Sequence, residues 1–386
     1  MFKTILYFLS FIALGIVSGS LGPTLPALAA QTHVEMKQIS NLFVARSFGT
    51  LLGSWLMGRI YDRISGHPLL TVSLVALALA MAMLPASNWL LAMVGLSVFI
   101  GFASASINVG GNTMIVMVHG PRVRPFISLL HFAFGVGGII APLVVYIFAN
   151  WANRNDGLKL IYVVFALFSL PPALMALLSQ SPAHRIEQNS ESHSTVSRLT
   201  LALLVLFFFL EVGAEANLMG WLYSYAIGQG INSMTATRMN SAFWAAFTAG
   251  RLATIWLSMR LSALPMVMMN LSLAMIFALA LLAFPASPVL LWICSIGFGL
   301  FVAPIFPSTF GFAQSRLHLS GRVNGLFLLG AAGGAMFWPR LIGQFFESAG
   351  VQVMSWVVLF NLVGALAVIK LVSLPLPYCK QREATA

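Results

Sequence analysis

The stretch LTLALLVLFFFLEVGAEANLMGWLYSYAI, residues 199–227, is apolar enough to span a membrane, yet it contains two acidic residues, Glu211 and Glu215. A carboxylate at membrane depth is costly, so it marks a substrate or ion pathway by default. The four-residue spacing places both acids on one helical face, where two like charges repel. The pair therefore predicts a proton or cation site. The alternative is that the acids reach water near a helix end, or hold neighbouring helices together by hydrogen bonds.

The composition of the 386-residue chain is that of a polytopic membrane protein. Hydrophobic residues make up 59 % of it, charged residues 8 %, and the mean hydropathy is +0.93, far from the values of a soluble domain. A hydrocarbon core of ~30 Å needs ~20 residues of helix. Twelve runs satisfy this length: 5–29, 41–61, 68–86, 89–118, 126–150, 158–180, 199–227, 239–259, 264–284, 288–313, 323–346 and 350–374.

The positions of the basic residues predict the orientation in the membrane. The net charge of +11 could suggest a nucleic-acid partner, but with both termini cytoplasmic most of the 20 Lys and Arg fall on the inner side. The positive-inside rule then predicts this orientation in the cell membrane, and no nucleic-acid partner. Arg46, Arg251 and Arg340 lie within spans, and each needs a partner or a water-filled path. The inner basic residues are Lys3, Arg59, Arg63, Arg122, Arg124, Arg185, Arg198, Arg260, Arg316, Arg322, Lys370, Lys380 and Arg382.

The twelve spans divide into two halves that resemble each other at a spacing of about 200 residues. FVARSFG at 43–49 parallels FWAAFTA at 243–249, and the tripeptide IGF recurs in the fourth and tenth spans. The longest polar segment separates the halves. We therefore predict an all-α membrane protein of two pseudo-symmetric six-helix bundles, residues 1–180 and 199–386, joined by a cytoplasmic linker at 181–198, with a site between the bundles.

The segment GRIYDRISGHPLL, residues 58–70, resembles the signature loop of the major facilitator superfamily. Gly58, Asp62 and Arg63 match the signature, Gly66 comes one place late, and other residues replace the usual basic pair. The resemblance implies that Asp62 caps a helix end and that this loop forms a latch in the outward-open state.

A second resemblance extends across nearly the whole chain and is to the fucose-permease branch of that superfamily, in particular its sodium-dependent glucose transporter type. In that family the position of Asn108 is usually an acid. The amide found here makes Glu211 and Glu215 the expected coupling acids, with Glu215 expected to matter more. The matching segments are LGPTLPAL (21–28), LFVARSFGTLLGS (42–54), NVGGNTMIV (108–116), LLHFAFGVGGIIAP (129–142), EVGAEANLMGWLYSYA (211–226), NSAFWAAFTAGR (240–251) and FPSTFGFAQ (306–314).

The polar inventory of the spans suits a sugar. Hexoses offer hydroxyl groups that donate and accept hydrogen bonds, and an apolar face that packs on aromatic rings, so amides and tryptophan match both needs. The alternative is that these polar residues bridge helices within the membrane. The candidate substrate-binding residues are Asn108, Asn112, His131, Asn217, Trp221, Asn240, Trp244 and Gln314.

Together these features predict a monomeric secondary active transporter that moves a hexose such as glucose inward with Na⁺ or H⁺, by alternating access and without a cofactor. A competing prediction is a proton-coupled exporter of amphipathic molecules, which also needs an acid in an aromatic cavity. An enzyme would require a metal cluster or an activated nucleophile, and none of the HExxH, GxSxG or paired-aspartate signatures is present. A sensor would require a folded soluble domain.

Overall fold

The computed structural model describes residues 1–61, 63–64, 66–152, 157–182, 198–285, 287–317 and 321–374, with residues 121, 124, 149–152, 314–315 and 321–322 described by backbone alone. All regular elements in these residues are helical. The α-helices are α1 (Phe2–Thr32), α2 (Met36–Ile39), α3 (Asn41–Tyr61), α4 (Gly66–Met83), α5 (Leu90–His119), α6 (Arg124–Ala152), α7 (Gly157–Leu167), α8 (Leu170–Leu177), α9 (Arg198–Gly228), α10 (Ser233–Leu257), α11 (Ala263–Ala283), α12 (Pro288–Val302), α13 (Ile305–Arg316), α14 (Gly321–Phe345) and α15 (Val353–Ser373).

Each predicted span overlaps one of these helices or a consecutive pair, such as α7 with α8 or α12 with α13. In the described residues ten such segments are long and apolar enough to cross a membrane. The two other spans, α3 and α10, have 21 and 25 residues but are more polar, because each carries two arginines. The predicted all-α membrane fold is confirmed.

The helices pack in two sets. In the first set, α3 and α4 pack on α5, and α1 packs on α6; in the second, α14 and α15 pack on α9, and α10 and α11 pack on α12. The principal contacts between the sets are those of α6 with α10, α3 with α14 and α1 with α9. The division at residues 180 and 199 stays a prediction, since the proposed linker falls outside the described residues except at its two ends.

Close approach between the sets depends on a glycine of α6. A Cβ added at Gly138 would collide with the ring of Trp244 on α10. Trp244 is fully buried, and its ring also meets Phe134 of α6 edge to face, at 6.0 Å between centroids. Membrane helices associate through such small residues because lipid supplies no hydrophobic drive for helix pairing.

The short helix α2 of the first set is held at both ends by α14 and the residues that follow it. The backbone amide of Met36 donates a hydrogen bond to the Glu347 carboxylate at 2.9 Å, and Nη1 of Arg340 donates to the carbonyl oxygen of Lys37 at 2.6 Å. The acid therefore lies at the start of the helix and the cation at its end, which are the positions favoured by the helix dipole.

Two further contacts join the sets on the same side of the molecule. Arg238 of α10 donates a hydrogen bond to the hydroxyl of Tyr146 on α6 and packs against its ring, and Gly22 of α1 approaches the carbonyl oxygen of Met219 on α9. All these contacts lie away from the end at which α1 begins. We call this side, defined by α2, Arg340, Glu347, Tyr146 and Arg238, the closed end.

Replacing Gly138 by alanine should destabilise the packing of the two sets, because the new methyl group enters the space of the Trp244 ring. Overpacking of this kind costs ~1–3 kcal/mol. The measurement is thermal unfolding of the purified protein in detergent. The matched control is Gly95→Ala, since a Cβ at Gly95 meets no atom within 4 Å. Equal melting temperatures for the two variants would contradict the packing described here.

Candidate functional site

Glu211 and Glu215 lie one turn apart on α9, in different environments. Glu211 is fully buried, and neither of its carboxylate oxygens forms a hydrogen bond with the described residues. Glu215 is partly exposed. An ionised carboxylate without a partner in a dry interior is strongly unfavourable. Each carboxyl group here therefore needs either positive charge close by or a bound proton.

Arg251 on α10 supplies positive charge to this pair. Its guanidinium group interacts electrostatically with Glu215 and, less strongly, with Glu211. It lies 4.6 Å from the ring centroid of Phe247 on the same helix, and 5.9 Å from that of Phe134 on α6. Both distances are within the range of a cation–π contact. Arg251 is thus placed where the two sets meet.

The first set brings His131 to the same place. His131 on α6 interacts electrostatically with Arg251, and its ring meets the ring of Phe11 on α1 edge to face, at 6.0 Å between centroids. Side chains from α1, α6, α9 and α10 therefore converge between the two sets. We call Glu211, Glu215, Arg251 and His131 the charge cluster.

Asn108 and Asn112 lie one turn apart on α5 and contact each other. The side chain of Asn112 donates hydrogen bonds to Oδ1 of Asn108 at 3.1 Å and to its carbonyl oxygen at 2.9 Å. Asn108 is exposed and Asn112 is half-buried. The adjoining Gly111 faces Phe11, the same ring that contacts His131. The amide pair therefore lies close to the level of His131, with polar atoms still free to bind.

Asn217 and Trp221 lie elsewhere on α9. Gly213, one turn before Asn217, packs against Trp338 of α14, so Asn217 lies toward the interior of the second set, where it is fully buried. The indole nitrogen of Trp221 donates a hydrogen bond to the carbonyl oxygen of Pro339 at 3.1 Å. Its ring is 4.7 Å from Phe346 between centroids. Trp221 therefore fastens α9 to α14, away from the charge cluster.

The other predicted site residues are not brought into the charge cluster. Asn240 is fully buried, and it precedes Arg251 by eleven positions, which is roughly 16 Å of helix. Trp244 lies one turn from Phe247 and packs on Gly138. For Gln314 the structure describes the backbone alone.

The predicted latch is described only in part. Gly58 lies in α3 and Arg63 is exposed just after it, whereas Asp62 falls outside the described residues. Between this loop and the end of α8 lies a cavity of about 540 Å³, lined by residues that include Arg63, Thr113, Met117 and Gln180. This cavity is formed within the first set, apart from the charge cluster.

Sequence reasoning left out the partners of the acids. It identified Arg251 as needing a partner but did not pair it with the glutamates, and it did not select Phe11 or Phe134. The arginines of the other two spans have different partners, since Arg46 donates to the carbonyl oxygen of Val17 at 2.8 Å and Arg340 belongs to the closed end.

The described residues contain no group of three or more His, Cys, Asp or Glu that could hold a metal ion.

Comparison with known proteins establishes the family. Residues 4–339 match the sequence model of the Major Facilitator Superfamily. The chain belongs to this superfamily. Its helices also superpose on solved structures of the superfamily fold, including a mutant form of the nucleoside transporter NupG (TM-score 0.78, 17 % identity, 96 % of this chain and 99 % of that one) and a D-xylose-proton symporter (TM-score 0.76, 12 % identity, 94 % and 96 %).

Curated relatives lie within the same family. The chain is 28 % identical over 351 residues to sodium-dependent glucose transporter 1 of Xenopus laevis, in a match that covers 84 % of this chain and 72 % of the relative. It is 28 % identical over 374 residues to sodium-dependent glucose transporter 1A of Mus musculus (86 % and 87 %), and 25 % identical over 446 residues to major facilitator superfamily domain-containing protein 4A of Homo sapiens (90 % and 87 %). The predicted family is confirmed, and the chain is an integral membrane transporter rather than an enzyme.

The positions of Trp221 and Asn108 predict opposite effects of mutation. Trp221→Phe loses the hydrogen bond to Pro339 and should lower the free energy of unfolding by ~1 kcal/mol without changing substrate affinity. Asn108→Ala should weaken substrate binding by ~1–3 kcal/mol without changing the melting temperature. Calorimetry and thermal unfolding measure the two quantities, and Trp89→Phe, at an exposed site, is the control. A loss of affinity in Trp221→Phe at unchanged stability would instead place Trp221 at the substrate.

Proposed function

We propose that this chain is a secondary active transporter that carries a hexose, such as glucose, together with Na⁺ or H⁺. The observation that carries the proposal is the pair of glutamates one turn apart on α9, of which Glu211 is fully buried without a hydrogen-bond partner among the described residues. An acidic residue at membrane depth is a poor choice for packing alone, because an apolar residue would fill the same space without the cost of a buried charge. Such an acid is therefore the expected site of ion coupling.

Polar side chains of the first set support a sugar as the substrate. Asn108, Asn112 and His131 carry amide and imidazole groups of the kind that bind hydroxyls, and the Asn108 side chain is exposed. The curated relatives include sodium-dependent glucose transporters, and the structural relatives include a D-xylose-proton symporter and a nucleoside transporter.

Transport would proceed by alternating access at the charge cluster. With both termini cytoplasmic, the closed end faces outward, and opening it requires α2 to separate from Arg340 and Glu347. The same movement would separate α6 from α10 at Gly138 and Trp244. The charge cluster lies between those helices, so its occupancy and the movement of the sets are linked.

The direct test is uptake of radiolabelled sugars into proteoliposomes under imposed Na⁺ or H⁺ gradients. We expect one of the two gradients to drive accumulation of a hexose. Glu215→Gln should abolish accumulation while exchange at equal sugar concentrations partly survives, because exchange needs the movement of the sets but no net ion flux.

Two outcomes would contradict the proposal. If neither gradient drives sugar accumulation by the wild-type protein, cation-coupled sugar transport is excluded; export of amphipathic dyes under a proton gradient would then favour the exporter. If Glu215→Gln accumulates sugar normally at equal reconstitution, its charge is structural and coupling resides in other residues.

A further inference from the structure

An exposed tryptophan stacks against an exposed arginine at the end of α3, and the same pair recurs at the end of α10. The guanidinium carbon of Arg59 lies 4.2 Å from the ring centroid of Trp55, and that of Arg260 lies 4.2 Å from the ring centroid of Trp256. In both pairs the arginine follows the tryptophan by four residues, and the second pair follows the first by 201 positions. Each helix set thus carries one copy of what we call the Trp–Arg stack.

Both Trp–Arg stacks lie at the end of the molecule opposite the closed end. Helix α3 starts next to α2, and α10 starts near Arg238, so both helices begin at the closed end. They therefore finish at the end where α1 begins. The predicted orientation places this end on the cytoplasmic side of the membrane.

The tryptophans project from helix faces that the rest of the protein leaves uncovered. Trp55 is 62 % exposed and shares its face of α3 with the exposed Leu52, whereas Gly53, on the opposite face, packs against α5. Trp256 is 50 % exposed and lies one turn after the exposed Leu252. Apolar faces of this kind are covered by lipid, and tryptophan is enriched where the lipid meets water. The arginines, one turn nearer the water, then lie at the level of the headgroups.

The charge of each arginine has no partner among the described residues. No hydrogen bond or ion pair joins Arg59 or Arg260 to them. The sequence between Glu215 and Glu347 contains no acidic residue, so Arg260 has none in its own helix or the loop that follows; Asp62, after Arg59, lies outside the described residues. The tryptophan ring covers the face of the guanidinium group and leaves its N–H edges free. That fork of donors matches the oxygens of a phosphate.

We propose that each Trp–Arg stack binds the phosphate of one anionic phospholipid of the cytoplasmic leaflet, so that the protein holds two such lipids, one on each helix set. The arginine donates hydrogen bonds to phosphate oxygens, and the indole ring fixes the plane of the guanidinium group. The cytoplasmic leaflet contains anionic lipids, which basic residues at its surface attract. The two lipids hold both sets at the same depth while the sets move against each other. This inference does not depend on which solute the protein carries.

The test is the number of phosphatidylglycerol molecules that the purified protein retains in detergent, counted by native mass spectrometry during a lipid titration. We expect two in the wild type and one in Arg59→Gln or Arg260→Gln, because losing hydrogen bonds to a charged group weakens the altered site about tenfold or more. The variant with both changes should retain none at the same concentration. Trp55→Leu should weaken only the site on α3, by about two- to fivefold, because it removes the stack but keeps the charge.

Arg238→Gln is the matched control. Arg238 is also exposed and packs on an aromatic ring, that of Tyr146, but it lies at the closed end, so this variant should retain two lipids. Phosphatidylcholine tests the need for net negative charge, and glycerol phosphate tests the need for acyl chains. Both should bind more weakly than phosphatidylglycerol.

Three results would overturn the proposal. The first is two retained lipids in either single arginine variant. The second is binding of phosphatidylcholine or glycerol phosphate as strong as that of phosphatidylglycerol. The third is an equal loss of lipid in Arg238→Gln, since retention would then follow total charge. If the arginine variants do not fold, Trp55→Leu combined with Trp256→Leu decides, and an unchanged affinity for phosphatidylglycerol in that variant overturns the proposal.

Discussion

The cost of a carboxylate in a membrane interior is the constraint on which this structure depends. Glu211 is fully buried without a hydrogen-bond partner among the described residues, so its charge is tolerable only with positive charge nearby. Arg251 supplies it, and this requires α10 to pack beside α9 with an arginine at this depth. Arg251 is also one of the two arginines that make α10 more polar than the ten most apolar segments of the described residues.

The packing between the sets places this cluster at a contact that can open. Gly138 admits the ring of Trp244, and Phe134 extends from α6 to both Trp244 and Arg251. A movement that parts α6 from α10 therefore changes the surroundings of the guanidinium group at the same time. The polar ties of α2 to Arg340 and Glu347 lie in the more exposed closed end, where water can replace them.

Much of the fold could be predicted from the sequence, because the length of an apolar run reports the length of a membrane helix. The predicted span 41–61 coincides with α3, whereas the span predicted at 239–259 begins six residues too late, since α10 starts at Ser233. The side chain of Asn232 caps that helix by accepting a hydrogen bond from the amide of Thr235, and hydropathy does not detect a polar first turn. The resemblance of distant segments located the family.

From the sequence, only those features of the site that depend on the geometry of a single helix could be predicted. The spacing of Glu211 and Glu215 was sufficient to place them on one face, but the same helical geometry turns Asn217 away from Glu215, because residues two apart do not face each other. The pairing of Arg251 with the acids, and of Phe11 with His131, depends on which helices become neighbours. Periodicity within one helix does not contain that information.

The central claim is that cation binding at the charge cluster and sugar binding beside it are one linked equilibrium. The most direct measurement is calorimetric titration of glucose into the purified protein with and without Na⁺ at fixed pH, and across pH in Na⁺-free buffer. The account predicts that one of these cations raises sugar affinity, that sugar raises the affinity for that cation by the same factor, and that Glu215→Gln removes both effects. A sugar affinity that is independent of both Na⁺ and pH would contradict it.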